Sequence, residues 1–235
     1  MMKHYILAIC LLLFSSQLWA AESQFKNLVL SKAPIDMTDM ASIKRGGKFF
    51  AANCMSCHTM KYMRYDKVAQ EVGVTYDKMP LNITNWPNGI TPPDLSLEAN
   101  VRGVDWIYTY LHSFYVDKNR PSGINNLLVA NTGMSNILGP YQGEQVLLTS
   151  PGSAGVYNNE YEWFNYLELV KDGSMTPEEF NQVTIDITNW LAYASEPYYI
   201  EQHNLGKWVL GFLLIFTIMM YFLKKEYWKD VKRKD

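Results

Sequence analysis

The chain has 235 residues, 48% of them hydrophobic, and a formal charge of −2, which leaves room for one ordinary domain with appendages and excludes two large cores. The charge is uneven: Lys224 to Asp235 hold six Lys/Arg against three Asp/Glu, whereas residues 21–223 hold fourteen against twenty. An acidic body with a short basic tail argues against a nucleic-acid binder, and it suits basic protein partners and an anionic membrane surface at the tail.

The first twenty residues, MMKHYILAICLLLFSSQLWA, have the parts of a secretory signal: Lys3 and His4, an apolar run from Tyr5 to Phe14, and a small-residue exit at Ala20–Ala21. Cleavage after Ala20 would remove Cys10, so the exported chain keeps only Cys54 and Cys57. The stretch DMTDMASIKRGGKFFAANC reads as a helix leading to this pair, with Gly46 and Gly47 leaving room for a close neighbour. Residues 61–72 read as further helix, and Met79 to Ser96, rich in Pro, as an irregular wrapping loop. In LEANVRGVDWIYTYLHSF, Val101, Val104, Tyr108 and Leu111 fall at helical spacing. Residues 118–160 carry Gly and Pro without a sustained period and are taken as a second long loop; loops of such length usually wrap something.

Thr176, Pro177 and Glu179 form a capping box, and Phe180, Val183, Ile187, Trp190 and Leu191 make the apolar stripe of the helix that follows. Glu196–Pro197 ends it. The sixteen uncharged residues Trp208 to Leu223 would span about 24 Å as a helix. Lengthened by Leu205 to Lys207, and with Trp208, Tyr221, Tyr227 and Trp228 where interface anchors belong, they read as a membrane anchor. The basic tail then lies in the cytoplasm and the body outside. The boundaries expected are a signal at 1–20, an exported domain at 21–204, an anchor at 205–225 and a tail at 226–235. The body is α-rich, without strand alternation, and its loops need something besides themselves to pack against.

The chemistry concentrates in ANCMSCHTM, residues 52–60. Zinc needs about four ligands, and beyond Cys54, Cys57 and His58 the exported chain offers only His112 and His203 among His and Cys. A dithiol oxidoreductase would call for a strand ahead of the motif and a helix starting at it. C-x-x-C-H fits covalent haem attachment: the thiols Cys54 and Cys57 add to the vinyl groups, and His58 offers its imidazole to the iron. A second axial ligand could come from Met60, Met63, Met79, Met134, Met175 or His112. Met60 and Met63 lie close to His58 in sequence, and Met79 (in a Met-Pro loop) and Met134 (in NTGMSNILG) are the leading candidates.

Four features in order, CMSCHTM, PPDLSLEANVRG, GMSNILG and WLAYASEP running into one anchor, resemble the cytochrome c1 family, the haem subunit of ubiquinol–cytochrome c reductase. The resemblance covers the mature chain. It implies a mainly α, class I cytochrome c-like exported haem domain with long loops and one C-terminal transmembrane helix. It also implies one covalent haem c, with Met134 as axial methionine, Arg102 near a propionate, and Pro92 and Pro93 walling the ring. The family's Gly-Gly-acid run after the arginine is Gly103-Val104-Asp105 here, and its proline after the axial methionine is Ser135. The implied role is a redox subunit, with no bond-making catalysis of its own, that takes an electron from the Rieske iron–sulfur protein and gives it to a cytochrome c. The implied setting is beside cytochrome b in a bacterial inner membrane, haem domain in the periplasm. A dimeric complex is implied by the family alone.

Overall fold

The computed structural model describes residues 28–81, 83, 86, 89–148, 156–157 and 160–231. The signal segment with Cys10, and the last four residues of the basic tail, lie outside the described residues. The chain forms two compact units, one from Met1–Lys32 with Asp105–Phe180, the other from Ala33–Val104 with Asn181–Asp235.

The second unit is helical. Helix α1, Met40–Asn53, starts where the Asp39 carboxylate accepts from the amides of Ala41 and Ser42, both at 3.0 Å. It buries Ile43, Gly46, Gly47 and Phe50. After the C-x-x-C-H turn come a 3₁₀ turn at Lys61–Tyr65, helix α2 at Lys67–Glu71 and helix α3 at Glu98–Arg102. Asp66 separates the first two by capping α2 through the Ala69 amide at 2.7 Å. No α-helix or strand lies between Met79 and Ser96 among the described residues, in keeping with a wrapping loop.

Helix α6, Pro177–Ser195, crosses α1 at the two glycines. A Cβ on Gly46 would stand 1.9 Å from the Asp186 carbonyl oxygen, and one on Gly47 2.7 Å from Val72 and 3.0 Å from the Trp190 ring. The space foreseen in the sequence is therefore filled by another helix. Polar groups lock the crossing. The buried Asp186 carboxylate takes a bidentate pair from Arg45 (2.7 and 2.8 Å) and bonds from Ser42 Oγ (2.7 Å) and Gln182 (3.0 Å). Trp190 is fully buried against Phe50 and Tyr193, and Tyr193 donates to Asp66 at 2.9 Å. The capping box also forms: Glu179 accepts from the Thr176 amide at 2.9 Å, and the Glu179 amide donates to Thr176 Oγ1 at 3.2 Å. Helix α7, Tyr199–Val231, is 33 residues long, about 50 Å. It is exposed along its apolar length and is the one described helix long and apolar enough to cross a membrane.

The first unit differs from the sequence expectation. Helix α4, Val104–His112, does not continue α3, because Gly103 between them takes φ +88°. That left-handed backbone breaks the helix the spacing suggested, and Val101 is left 72% exposed. The region taken as a loop carries strands. A four-stranded sheet runs β3 (Ile124–Asn126), β2 (Phe114–Val116), β4 (Gly143–Leu147), β7 (Leu167–Asp172), with the one-turn helix α5, Gly139–Gln142, before β4. A three-stranded sheet pairs β1 (Leu28–Val29), β6 (Glu160–Glu162) and β5 (Val156–Tyr157). These strands have two to six residues, too few for a period to register. Several inward positions are also polar. Asn125, Asn126 and Gln145 are buried with their bonds made, Gln145 Nε2 donating to the carbonyls of His112 and Phe114 at 2.8 and 2.9 Å.

The crossing gives a direct test. Gly46→Ala is expected to destabilise the fold by about 3 kcal/mol or more, because no side chain can yield where the contact is backbone oxygen. A thermal or urea melt of the detergent-solubilised protein measures this, and a wild-type transition would contradict the packing.

Candidate functional site

Helix α1 ends where the chemistry begins. Its last turn closes with the amides of Cys54 and Met55 on the Phe50 carbonyl, at 2.9 and 3.0 Å. The amides of Cys57 and His58 then both return to the Cys54 carbonyl, at 3.1 and 2.9 Å. This tight turn puts both cysteines and the histidine on one short loop. Both thiols are free and half-buried. Cys54 is the C-cap of α1, the opposite end from the one whose dipole activates a thiolate. Burial, and then the neighbouring Cys57, push the Cys54 thiol up to about 12. Such a thiol is a poor thiolate nucleophile at neutral pH, and a helix ends at the motif where the dithiol reading called for one to start.

His58 is held in one tautomer. Its Nδ1 donates to the Pro93 carbonyl at 2.9 Å, which leaves Nε2 as the ring's free lone pair. Burial pushes its pKa down, against the Pro93 bond and the carboxylates of Glu98 and Asp94. A half-buried neutral imidazole with one nitrogen committed is the form that ligates a metal.

Pro93 is itself anchored by its neighbours. The Asp94 carboxylate accepts from Thr59 Oγ1 (2.6 Å), the Lys61 amide (3.0 Å) and the Ser96 amide (2.9 Å). Leu95 N donates to the Thr59 carbonyl at 2.9 Å, and Tyr62 N to Ser96 Oγ at 3.1 Å. The sequence reading missed Asp94 and Thr59. The D-x-S spacing of an Asx turn, Asp94 to Ser96, was the available signal. Burial alone would push the Asp94 carboxyl up, but bonds from Ser96, Thr59 and the Lys61 amide outweigh it and hold it below its ordinary value.

Of the other expected residues, Pro92 is half-buried and Pro93 exposed in this loop. Arg102 lies in the last turn of α3 and pairs with Glu98 at 3.3 Å. Met60, Met63 and Met79 are buried in the same unit, and the Met79 sulfur accepts the Met60 amide at 3.4 Å.

Met134 belongs to the first unit, half-buried in a loop that its own unit holds firmly. Its amide donates to Thr132 Oγ1 at 3.3 Å, which also bonds Tyr110 at 2.9 Å. Arg120 reaches the Thr132 carbonyl at 3.2 Å and the Asn131 side chain, and Asn125 Oδ1 takes the Asn131 amide at 2.9 Å. Asn131 has φ +60°, and these bonds stabilise that conformation. His112 is a core histidine: Nδ1 donates to the Tyr108 carbonyl at 2.8 Å, and the ring packs on Tyr108 and Phe180. Met175 is half-buried just ahead of the α6 cap.

A haem fits the donor set of the second unit. Two thiols and a free imidazole nitrogen stand on one turn. The same unit leaves Ile90 54% and Val101 72% exposed, apolar surface of the kind a flat apolar group would cover. The Trp86 indole N–H is buried without an acceptor among the described residues, a donor that a carboxylate-bearing group would satisfy.

A family model described as the cytochrome C1 family matches residues 30–87 and 82–231. A protein named cytochrome c1 from Allochromatium vinosum is 37% identical, over 98% of this chain and 100% of its own. A protein named ammonia monooxygenase gamma subunit from Nitrosomonas europaea is 34% identical over 98% and 99%. The cytochrome c1 of Blastochloris viridis is 24% identical over 85% and 84%.

The Asp94 carboxylate predicts an acid limit for the loop. With its pKa depressed by folding, its stabilising contribution is complete above the ordinary aspartate value and is lost as pH falls through the depressed one. The amide resonances of Lys61 and Ser96 should titrate together, with a midpoint below the ordinary aspartate range. A midpoint above that range would contradict the hydrogen-bond pattern.

Proposed function

Because the chain belongs to the cytochrome c1 family, we propose that it is the haem-bearing electron-transfer subunit of a membrane quinol–cytochrome c reductase. In this reading it takes one electron from a Rieske iron–sulfur protein and gives it to a cytochrome c. The observation that carries the reading is His58, its Nδ1 donated to Pro93 and its Nε2 free, on the same turn as Cys54 and Cys57.

The haem supplies a one-electron couple when bound, and the chain's residues supply placement and environment. Cys54 and Cys57 would hold one haem c through thioether bonds, and His58 and Met134 would ligate its iron, a His/Met pair that raises the potential. Pro92 and Pro93 would pack against the haem, and Arg102 would pair with one of its carboxylates. Family resemblance and the clamped Met134 loop support Met134. Two rivals are otherwise engaged, Met79 with the Met60 amide and His112 with Tyr108 and Phe180.

Helix α7 anchors the chain once in the membrane, with cytochrome b as its neighbour. The tail charge supports a cytoplasmic C-terminus and a periplasmic haem domain. The acidity of the body lies in residues 105–180, with three Lys/Arg against nine Asp/Glu, and it suits steering of a basic acceptor. The Nitrosomonas relative favours a second reading, a tethered c-type cytochrome that serves a different membrane oxidoreductase. Co-purification with a cytochrome b and a Rieske protein supports the first reading, and their absence from the purified complex the second.

The ligand assignment is tested by Met134→Leu beside Met79→Leu. Met134→Leu should abolish the methionine–ferric charge-transfer band and let the ferrous form bind carbon monoxide, while Met79→Leu keeps the band. The reverse pattern would move the axial role to Met79.

A further inference from the structure

His58 and Pro93 each stand immediately before one of two segments that are fastened together. Four hydrogen bonds join residues 59–62 to residues 94–96: Thr59 Oγ1 to Asp94, Lys61 N to Asp94, Leu95 N to the Thr59 carbonyl, and Tyr62 N to Ser96 Oγ. Two of the four end on one oxygen, Asp94 Oδ2, and the other oxygen takes the Ser96 amide. The carboxylate is thus the node of the fastening, and the His58 Nδ1 to Pro93 bond of 2.9 Å lies one residue away along each strand of it.

We infer that Asp94 is a positioning residue, whose carboxylate holds the Pro93 carbonyl on His58 Nδ1 and so fixes the tautomer, orientation and donor strength of that imidazole. The inference rests on the reading of His58 as an iron ligand. An acceptor on Nδ1 fixes a ligating ring and raises the basicity of the other nitrogen. A more basic ligand favours the ferric state. Slackening the fastening lengthens the Nδ1 bond, weakens Nε2 as a donor and raises the potential. A purely structural Asp94 would change stability and leave the potential where it was.

The test uses the full chain with its haem and compares Asp94→Asn, Thr59→Val, Thr59→Ser and Arg45→Gln. Arg45→Gln weakens the α1–α6 crossing without touching the fastening, so it reports what destabilisation alone does. Redox titration and the His58 Nδ1 proton resonance of the ferrous form are read beside a melting curve. Asp94→Asn and Thr59→Val should raise the midpoint potential, so that at the wild-type midpoint the ferrous-to-ferric ratio grows by at least about threefold. The Nδ1 proton should also move upfield and exchange faster. Thr59→Ser, which keeps the hydroxyl, should return both readouts to wild type, and Arg45→Gln should lower the melting temperature with both unchanged.

Unchanged potential and resonance in Thr59→Val and Asp94→Asn, whatever their melting temperatures, would overturn the inference. Should Asp94→Asn fail to accumulate, Thr59→Val decides it. A wild-type ferrous spectrum without the shifted ring resonances of a ligated histidine would overturn the parent reading, and the inference with it.

Discussion

The second unit depends on the contact of α1 with α6 at Gly46 and Gly47. A Cβ at Gly46 would stand 1.9 Å from a backbone oxygen, so the closest approach is available to glycine alone. Dispersion between touching helices and the burial of Trp190, Phe50 and Ile43 supply the apolar share. Asp186 supplies the register, since its carboxylate binds Arg45 and Ser42 at fixed positions on α1. A buried carboxylate held by four donors is costly to lose, because truncation of one partner leaves an uncompensated charge. Where α1 lies decides where the tight turn just after its C-terminus falls, and that turn carries Cys54, Cys57 and His58.

Beyond the helices, each unit builds its part with short polar fastenings rather than extended core. In the second unit one carboxylate, Asp94, replaces a strand pairing between residues 59–62 and 94–96. In the first unit Arg120, Tyr110, Thr132 and Asn125 hold the loop that presents Met134. Such fastenings let a loop keep an unusual backbone, as at Asn131. They also account for how a chain with long Pro- and Gly-rich stretches holds defined loops without large sheets.

Much of this was legible in the sequence, and what was not has physical reasons. The helix leading into the motif, the capping box at Thr176, the break at Glu196–Pro197 and the long apolar helix follow from strong local signals. The C-x-x-C-H unit carries its own chemistry. Gly103 was read as one residue within a helical pattern, and only its positive φ makes it a break. The strands escaped because they are short and because Asn125, Asn126 and Gln145 look like loop residues until their buried partners are known. Asp94 escaped for a related reason: its role lies in contacts with residues 33 and 35 positions away.

Family membership and the geometry at His58 converge on a single claim, that Cys54 and Cys57 hold a haem. The most direct measurement is the mass of the tryptic peptide spanning residues 49–61 of the purified chain. The account predicts that this peptide carries one haem, bonded through both cysteines. Recovery of the peptide with two unmodified thiols, or with Cys54 and Cys57 joined as a disulfide, would contradict it.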